Sequence, residues 1–156
     1  MSTDANKALV VASIEEGCNT RRLSIFDELF APDLVDHGLP PGLPKTLEGR
    51  KQLASLYWSA FPDLRLTIED QIAEGEKVVT RWTARGTNMA ELMGTPPTGR
   101  RMVVTGITVD RIVDGKIVER WGEINQLAIL QRLGPISGPE MQTADATVTP
   151  LRGTSR

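Results

Sequence analysis

The sequence predicts an α+β fold in which three helices precede an antiparallel sheet. Apolar residues recur at helical spacing up to Pro62, and after Pro62 they alternate with polar residues in a period of two. Such a sheet must bury one face against the helices, because its apolar side needs a second layer to cover it. If the sheet curls, it forms a cone-shaped barrel whose cavity is lined by one parity of residues from each strand.

The first two helices are predicted near the N-terminus. Residues 5–18 place Leu, Val, Ile and Ala side chains at helical spacing, and Gly17 ends the pattern. Ser24 is followed by acidic and apolar residues in the next turn, which is typical of an N-capped helix. Pro32 ends this second helix soon after it begins.

A loop is predicted between the second and third helices. Residues 36–49 are rich in proline and glycine, so no regular hydrogen-bond ladder is expected there, and they contain the single histidine, His37. Residues 50–61 then form one apolar stripe, which predicts the third helix. Pro62 stops it, because proline lacks an amide hydrogen and clashes with the preceding turn.

Four strands are predicted after Pro62. They cover residues 64–72, 78–87, 102–112 and 117–125. Turns at residues 74–75 and 114–115 are expected to join them in pairs, and the Asp-Gly sequence of the second turn is a strong hairpin signal. The loop over residues 88–100, with two prolines and two glycines, links the two hairpins.

The C-terminal part divides into a short helix and a tail. Residues 126–133 predict the helix, which Gly134 closes. Residues 135–156 have little apolar content and predict a flexible tail, or an arm that orders against a partner subunit. The domain is therefore expected to span residues 1–134.

Composition excludes several classes of function. A chain of 156 residues with 40% hydrophobic content fits one domain with a real core, and its net charge of −2 offers no basic stripe for nucleic acid. No apolar run approaches the length of a membrane span, and no signal peptide is evident, so a cytoplasmic protein is expected. One cysteine excludes an internal disulfide, and one histidine excludes a histidine-cluster metal site.

The strand over residues 117–125 carries polar residues where a buried strand should carry apolar ones. Glu119, Trp121, Glu123 and Asn125 share one parity and therefore one face. Glu123 and Asn125 would lie about 7 Å apart, close enough to address one small ligand. This face is either the solvent-exposed side of the sheet or the lining of a pocket.

Several segments are similar to those of a known family. FDELFAPDLVDHG, FPDL, the PPTG loop, DGKIVE followed closely by Trp121, and ILQRLG resemble the SnoaL-like polyketide cyclases of the nuclear-transport-factor-2-like superfamily, also called ester cyclase-like proteins. The resemblance covers residues 8–134. It implies a cone-shaped α+β barrel that forms homodimers or homotetramers and needs no cofactor or metal. It also implies ring closure of aromatic polyketides by intramolecular aldol condensation, and relatives catalyse hydroxylation or epoxide opening.

The chain departs from the family pattern at two positions. Where the resemblance implies an Asp, four residues after Trp121, the chain has Asn125, and a carboxamide does not abstract a proton. The family often has Thr-His after the second strand, whereas this chain has Thr87 and Asn88. The resemblance, combined with the parity of the last strand, shifts the expected acid and base role to Glu123.

Four residues are the candidates for catalysis. Glu123 would take a proton α to a carbonyl, Asn125 would donate to the oxygen that gains charge, and His37 would do either. Arg111 would supply a fixed positive charge or pair with Glu119. Each also has a structural interpretation: Glu123 as a solvated strand residue, Asn125 as an N-cap of the next helix, His37 as a loop residue and Arg111 as an ion-pair partner.

Aromatic and amide side chains are the candidates for binding a hydrophobic small-molecule substrate. The aromatic ones are core residues by default, although one of them, Trp58, lies off the main apolar stripe of the third helix and would line the cavity opening. The candidates are Trp58, Phe61, Trp82, Asn88 and Trp121.

Three functions are compatible with the sequence. The favoured one is a cofactor-free cyclase of natural-product biosynthesis acting on a polyketide. The second is epoxide opening on the same fold, although the Asp-Arg-Asp arrangement of such hydrolases is weakened here because Asp110 and Arg111 are adjacent and face opposite ways. The third is a non-catalytic binding or assembly module, compatible with the loss of the family's Asp at Asn125.

Overall fold

Two helical segments at the N-terminus pack close together. In the computed structural model, which describes residues 2–92 and 94–132, helix α1 covers Thr3–Ala12 and continues into a π-helical segment, Ser13–Cys18. Helix α2 covers Leu23–Leu29. The hydroxyl of Ser2 caps α1 by accepting a hydrogen bond from the Ala5 amide at 3.1 Å. The first two predicted helices are confirmed, but the predicted cap of the second is wrong, because Ser24 lies inside α2 and Arg22 at the N-cap forms no side-chain cap.

The third predicted helix and the short C-terminal helix are also present. Helix α3 covers Leu47–Ala60, and the Thr46 hydroxyl caps it by accepting from the Gly49 amide at 3.2 Å. Helix α4 covers Gln126–Arg132. The predicted tail, residues 135–156, lies outside the described part of the chain.

Five strands form one mixed sheet. They are β1 (Phe30–Asp36), β2 (Arg65–Glu74), β3 (Lys77–Thr87), β4 (Arg101–Val113) and β5 (Lys116–Ile124). Their order is β1-β5-β4-β3-β2, so the sheet is open, with β1 and β2 at its edges. The four antiparallel strands predicted from the alternation are confirmed, in a curved and unclosed sheet.

Strand β1 was missed in the sequence prediction. It runs parallel to β5, with Phe30 opposite Ile117 and Val35 opposite Glu119. Pro32 led to the interpretation of this segment as the end of a helix, but proline is tolerated on an edge strand, where no amide hydrogen is needed on the outer side. The burial of β1 is also irregular, so no alternation marks it as a strand.

The helices cover only one face of the sheet, which we call the inner face. Val10 of α1 and Phe26 of α2 pack in one core cluster with Val78, Ile112 and Ile117 of the sheet. The second cluster lies at the end of the sheet where β4 begins, and it joins the last turn of α3 to β4 and to the loop over residues 88–100. Its buried members are Ala60, Phe61, Leu92, Met102 and Val104. The opposite, outer face has no helix on it among the described residues.

A bulge in β5 decides which of its residues reach the inner face. Arg111 is opposite Glu119, but the next residue of β4, Ile112, is opposite Ile117, so Val118 is left without a partner. As a result Ile117 and Arg120 are both buried although they are three residues apart.

Within the described residues, no helix is long and apolar enough to cross a membrane.

Candidate active site

Several of the predicted site residues meet on the outer face. The His37 ring stacks on Trp121 with a centroid separation of 5.3 Å, and its Nε2 lies 2.7 Å from Oε2 of Glu119. Arg111 reaches the other oxygen of Glu119 at 3.1 Å. These hydrogen bonds, with that from His37 as the larger cause, hold the pKa of the Glu119 carboxyl below its ordinary value. Glu119 is therefore an ionised partner that links the loop after β1 and strand β4 to β5.

Glu123 also lies on the outer face, where its side chain is exposed. It borders a shallow depression of about 160 Å³ together with His37 and Trp121. Pockets that hold drug-sized ligands usually measure about 300–1,000 Å³. The depression is therefore too small to enclose a polyketide.

These positions correct one sequence-based expectation. The family resemblance implies that the face with Glu119, Trp121 and Glu123 lines the cavity, but the helices cover the opposite face. The assignment is wrong because the last strand presents Arg120, not Glu119, to the helices. The catalytic roles proposed for Glu123, His37 and Arg111 stay predictions, now for an outer-face site.

Asn125 stands at the end of β5 as the N-cap of α4. Its Oδ1 accepts a hydrogen bond from the Ala128 amide at 3.1 Å, and its carbonyl accepts from the Ile129 amide. This is the structural alternative considered for Asn125. Its Oδ1 is occupied by the cap, which leaves its amide hydrogens as the groups that a ligand would meet.

The predicted substrate-binding residues are dispersed. Trp58 is half-buried against Phe26, and Phe61 is buried in the second core cluster, so both are core residues in the ligand-free structure. Trp121 is on the outer face. Trp82 is on the inner face, where its ring covers Gly106 of the neighbouring strand.

Asn88 organises the loop that follows β3. It is fully buried, its Oδ1 accepts from the Thr98 amide at 2.7 Å, and its Nδ2 donates to the Ala90 carbonyl at 3.0 Å. Because these bonds use both ends of the carboxamide, Asn88 has a structural role in this conformation. The structure does not bring it to a ligand site.

The inner face contains a buried charged pair that the sequence interpretation did not single out. Asp110 of β4 is 0% exposed and Arg120 of β5 is 8% exposed, and the two residues are opposite in the register. Nε of Arg120 lies 3.2 Å from Oδ1 of Asp110. The contact lacks hydrogen-bond geometry, so neither oxygen of Asp110 has a hydrogen-bond partner among the described residues.

Asp36, a second buried aspartate, shows the opposite situation. Its Oδ2 lies 2.7 Å from both Nε and Nη2 of Arg50, and its Oδ1 accepts from the Gly38 amide at 3.0 Å. A buried carboxylate with these partners is fully satisfied and holds the loop after β1 against α3. Asp36 is therefore a structural aspartate, whereas both carboxylate oxygens of Asp110 lack a hydrogen-bond partner among the described residues.

Further polar atoms on the inner side lack partners among the described residues. Oγ1 of Thr108, two residues before Asp110 on the same face of β4, is buried and unpaired, as is Oδ1 of Asn6 in α1. Helix α1 is fixed over this region by Gln71, whose Nε2 contacts the Lys7 carbonyl and the Thr80 hydroxyl. Buried polar groups are usually satisfied, so an unpaired one is a group to which a bound water or ligand would supply the partner.

Burial also changes the acidity of the groups in this region. Desolvation raises the pKa of Asp110 above its ordinary value, although the positive charges of Arg120 and Arg50 act in the other direction. Desolvation likewise raises the pKa of the Cys18 thiol. The direction of this shift, upwards from the ordinary value of an aspartate, is the one that favours a proton-transfer role.

One signal in the sequence could have indicated these residues. Asp110 ends the run VVTGITVD, in which Val104, Thr108 and Asp110 share a parity, so a charged residue stands at a buried position of a central strand. Arg120 stands at the parity of Gly122 and Ile124. The bulge at Val118 hid this relationship, because it gives Ile117 the parity of the outer residues.

The comparisons with known proteins identify the family. The profile of the SnoaL-like polyketide cyclases matches residues 8–133. No curated protein matches the chain.

Three solved structures from Streptomyces are similar along nearly their whole length. IdmH from Streptomyces antibioticus, a candidate polyketide cyclase, is 35% identical with a TM-score of 0.73 over 83% of this chain and 99% of its own. AclR from Streptomyces galilaeus, a candidate hydroxylase, is 32% identical with a TM-score of 0.77 over 86% and 99%. TsrD from Streptomyces laurentii is 26% identical with a TM-score of 0.77 over 87% and 99%. The chain therefore belongs to the SnoaL-like polyketide cyclase family.

Proposed function

We propose that the protein is an enzyme that closes a ring in a polyketide-like substrate at the inner face of the sheet, with Asp110 as the proton-transfer group. The family and the similarity to IdmH support the class of reaction. The observation that carries the assignment to Asp110 is its burial without a hydrogen-bond partner among the described residues. A desolvated carboxylate with free acceptors is a stronger base than a solvated one.

The neighbours of Asp110 supply the other parts of an aldol closure. Ionised Asp110 would take the proton α to a carbonyl, and the enolate would attack a second carbonyl of the same molecule. The guanidinium of Arg120 lies beside this carboxylate and would stabilise the developing oxyanion. The Thr108 hydroxyl has no partner among the described residues and would donate to the same oxygen.

The reaction needs no electron carrier. An intramolecular aldol addition forms one carbon–carbon bond and moves one proton from carbon to oxygen, so atoms and electrons balance within the substrate. Acid and base groups of the protein are sufficient for both steps. We therefore propose that the enzyme works without a cofactor.

Paired substitutions test the assignment. The substrate probe is a linear aromatic β-keto ester with an acceptor carbonyl, and ring closure is followed by absorbance. Asp110→Asn should lower kcat by about 10²–10⁴-fold, the usual contribution of general acid and base catalysis. The matched control is Asp33→Asn, which changes an exposed aspartate of β1 and should leave kcat unchanged.

Glu123→Gln distinguishes the two proposed sites. Loss of turnover in Asp110→Asn but not in Glu123→Gln supports the inner face, whereas the reverse result supports the outer-face group of His37, Trp121 and Glu123. Circular dichroism of each variant shows whether the fold survives. If Asp110→Asn does not fold, Asp110→Glu is tested instead, because it keeps the charge but moves the carboxylate by one methylene. A lowered kcat in Asp110→Glu supports the inner face, and an unchanged kcat contradicts it.

Epoxide opening is the second candidate function. Arg111 is on the outer face, so the adjacent pair Asp110 and Arg111 does not act together, as expected from the sequence. The structure nevertheless places another arginine, Arg120, beside Asp110. Hydrolysis of styrene oxide that is lost in Asp110→Asn would support this chemistry over ring closure by aldol condensation.

We also propose that the half of the outer face nearest the turns at residues 74–75 and 114–115 is the interface of a homodimer. Four apolar residues form one row across it in register: Ile72, Val79, Val109 and Trp121. Ile72 is 64% exposed, and Ile107 beside this row is 46% exposed. A contiguous apolar patch of this kind favours association, and a second copy would cover it. A non-catalytic binding module, the third candidate, would be supported if the wild-type protein turned over none of these probes.

A further inference from the structure

A second depression lies on the outer face, at the end of the sheet where β2 begins and β3 ends. It measures about 180 Å³ and is lined by Asp63, Arg65, Thr67, Arg85, Gly86 and Arg101. Its arginines come from three neighbouring strands, β2, β3 and β4. We call it the arginine depression.

The arrangement of these arginines is unfavourable without a ligand. Arg65 and Arg85 are directly opposite in the register of β2 and β3. Like charges in that position repel each other and destabilise the sheet. None of the three arginines forms an ion pair within 4.0 Å among the described residues.

Arg111, elsewhere on the same face, shows the usual arrangement. It lies between two acids, with Glu119 at 3.1 Å and Glu76 at 3.8 Å. Arg81 is opposite Asp70 in the register. Arg111 is thus neutralised by direct ion pairs and Arg81 has an acid opposite it, whereas Arg65 and Arg85 have each other as cross-strand neighbours.

The one acid at the rim is already occupied. The oxygens of Asp63 accept hydrogen bonds from the Thr87 amide at 2.6 Å and from the Thr87 hydroxyl at 2.8 Å. These bonds, the backbone one first, hold the pKa of Asp63 below its ordinary value, so it stays ionised and fixed. Three arginines and one aspartate give the arginine depression a charge of +2, in a chain whose net charge is −2.

We propose that the arginine depression binds a phosphoryl group, either as free phosphate or as a phosphate monoester. A phosphate monoester carries about two negative charges at neutral pH, which matches the charge of the depression. Guanidinium groups bind phosphate oxygens in pairs through parallel N–H donors, and the Thr67 hydroxyl at the wall adds a further donor. The site is separate from the inner-face carboxylate and independent of the proposed reaction.

Calorimetric titration tests the proposal on the whole chain at pH 8 and low salt. The probes are inorganic phosphate and phenyl phosphate. Arg65→Gln and Arg85→Gln should each weaken binding by about tenfold or more, the usual effect of one charge-assisted hydrogen bond. The matched control is Arg81→Gln, which removes the same charge from the same face of β3 outside the depression and should change the affinity by less than about threefold.

The outcomes separate the two sources of the phosphoryl group. Equal affinity for both probes, lost in Arg85→Gln, supports free phosphate as the ligand. Tighter binding of phenyl phosphate, lost in the same variant, supports a monoester. Absence of binding by both probes, or binding that Arg81→Gln weakens as much as Arg85→Gln, would overturn the proposal.

Discussion

Asp110 and Arg120 face each other across β4 and β5 with 3.2 Å between Oδ1 and Nε, yet the contact lacks hydrogen-bond geometry. Arginine stays protonated in proteins, so the pair has one permanent charge and one that titrates. Burial raises the pKa of Asp110, which means that folding favours its protonated form. This contribution to stability is present at low pH and is lost as the pH rises through the folded-state pKa.

The pH dependence of kcat/KM follows from this relationship. As a base, Asp110 must be ionised, so kcat/KM should fall as the pH is lowered through a value above about 3.9, the ordinary pKa of an aspartate. The measurement is the pH profile of the wild-type protein and of His37→Gln, since His37 is, with Glu123, one of the outer-face groups proposed for proton transfer. A profile whose acidic limb disappears in His37→Gln would assign the limb to the outer face.

The ion pair between Asp36 and Arg50 should be essential for stability. Asp36→Asn leaves the half-buried guanidinium of Arg50 without its partner, and breaking a buried pair typically costs about 3–5 kcal/mol. Urea denaturation measures the difference. The exposed Asp33→Asn should stay within about 0.5 kcal/mol of the wild type, and an equal effect of both variants would contradict the structural role of Asp36.

The helices and four of the strands could be predicted because the period of the apolar residues changes at Pro62 and the helix ends carry capping residues. Asn125 is such a cap and forms the expected hydrogen bond, whereas Thr46, which caps α3, stands in the segment predicted as a loop. Strand β1 could not be predicted because it contains Pro32 and pairs with β5, which lies far away in the sequence. Parallel pairing of distant segments leaves no local pattern.

The sequence could not predict which face of the last strand the helices cover. Alternation groups Glu119, Trp121 and Glu123 correctly, yet it does not say which side the helices cover. The buried Ile117 shares their parity, and only the bulge at Val118 explains why they are not buried with it. The pairing of Asp110 with Arg120 depends on the register between two strands, which a single sequence does not contain.

The proposed dimer predicts a large effect of one exposed apolar residue. Ile107→Lys places a charge in the middle of the outer face and should convert a dimer into a monomer. Sedimentation velocity over a range of protein concentrations measures this. The control is Leu56→Lys, which changes a residue of α3 that is 40% exposed. A wild-type protein that stays monomeric at every concentration would contradict the proposal.

Asn88 should stabilise the loop over residues 88–100 and not the chemistry. Asn88→Ala removes the bonds to Thr98 and Ala90, and leaving such buried groups unsatisfied costs about 1–3 kcal/mol. Limited proteolysis should then cut within this loop sooner than in the wild type. The control is Gln52→Ala, at an exposed amide of α3, and equal cleavage of both variants would contradict the assignment.

The packing of Trp82 on Gly106 predicts that alanine is not tolerated at this glycine. A Cβ atom on Gly106 would lie 2.2 Å from Cζ2 of Trp82, so Gly106→Ala must displace the indole or the strand. Overpacking of this kind typically costs about 1–3 kcal/mol, and tryptophan fluorescence should change with it. Gly122→Ala is the control on the same face, because its Cβ would meet Cγ2 of Thr108 at an ordinary 3.5 Å. The double substitution Gly106→Ala with Trp82→Leu should recover much of the loss in urea denaturation. If Gly106→Ala is as stable as Gly122→Ala and its fluorescence is unchanged, Trp82 does not pack on Gly106 in solution.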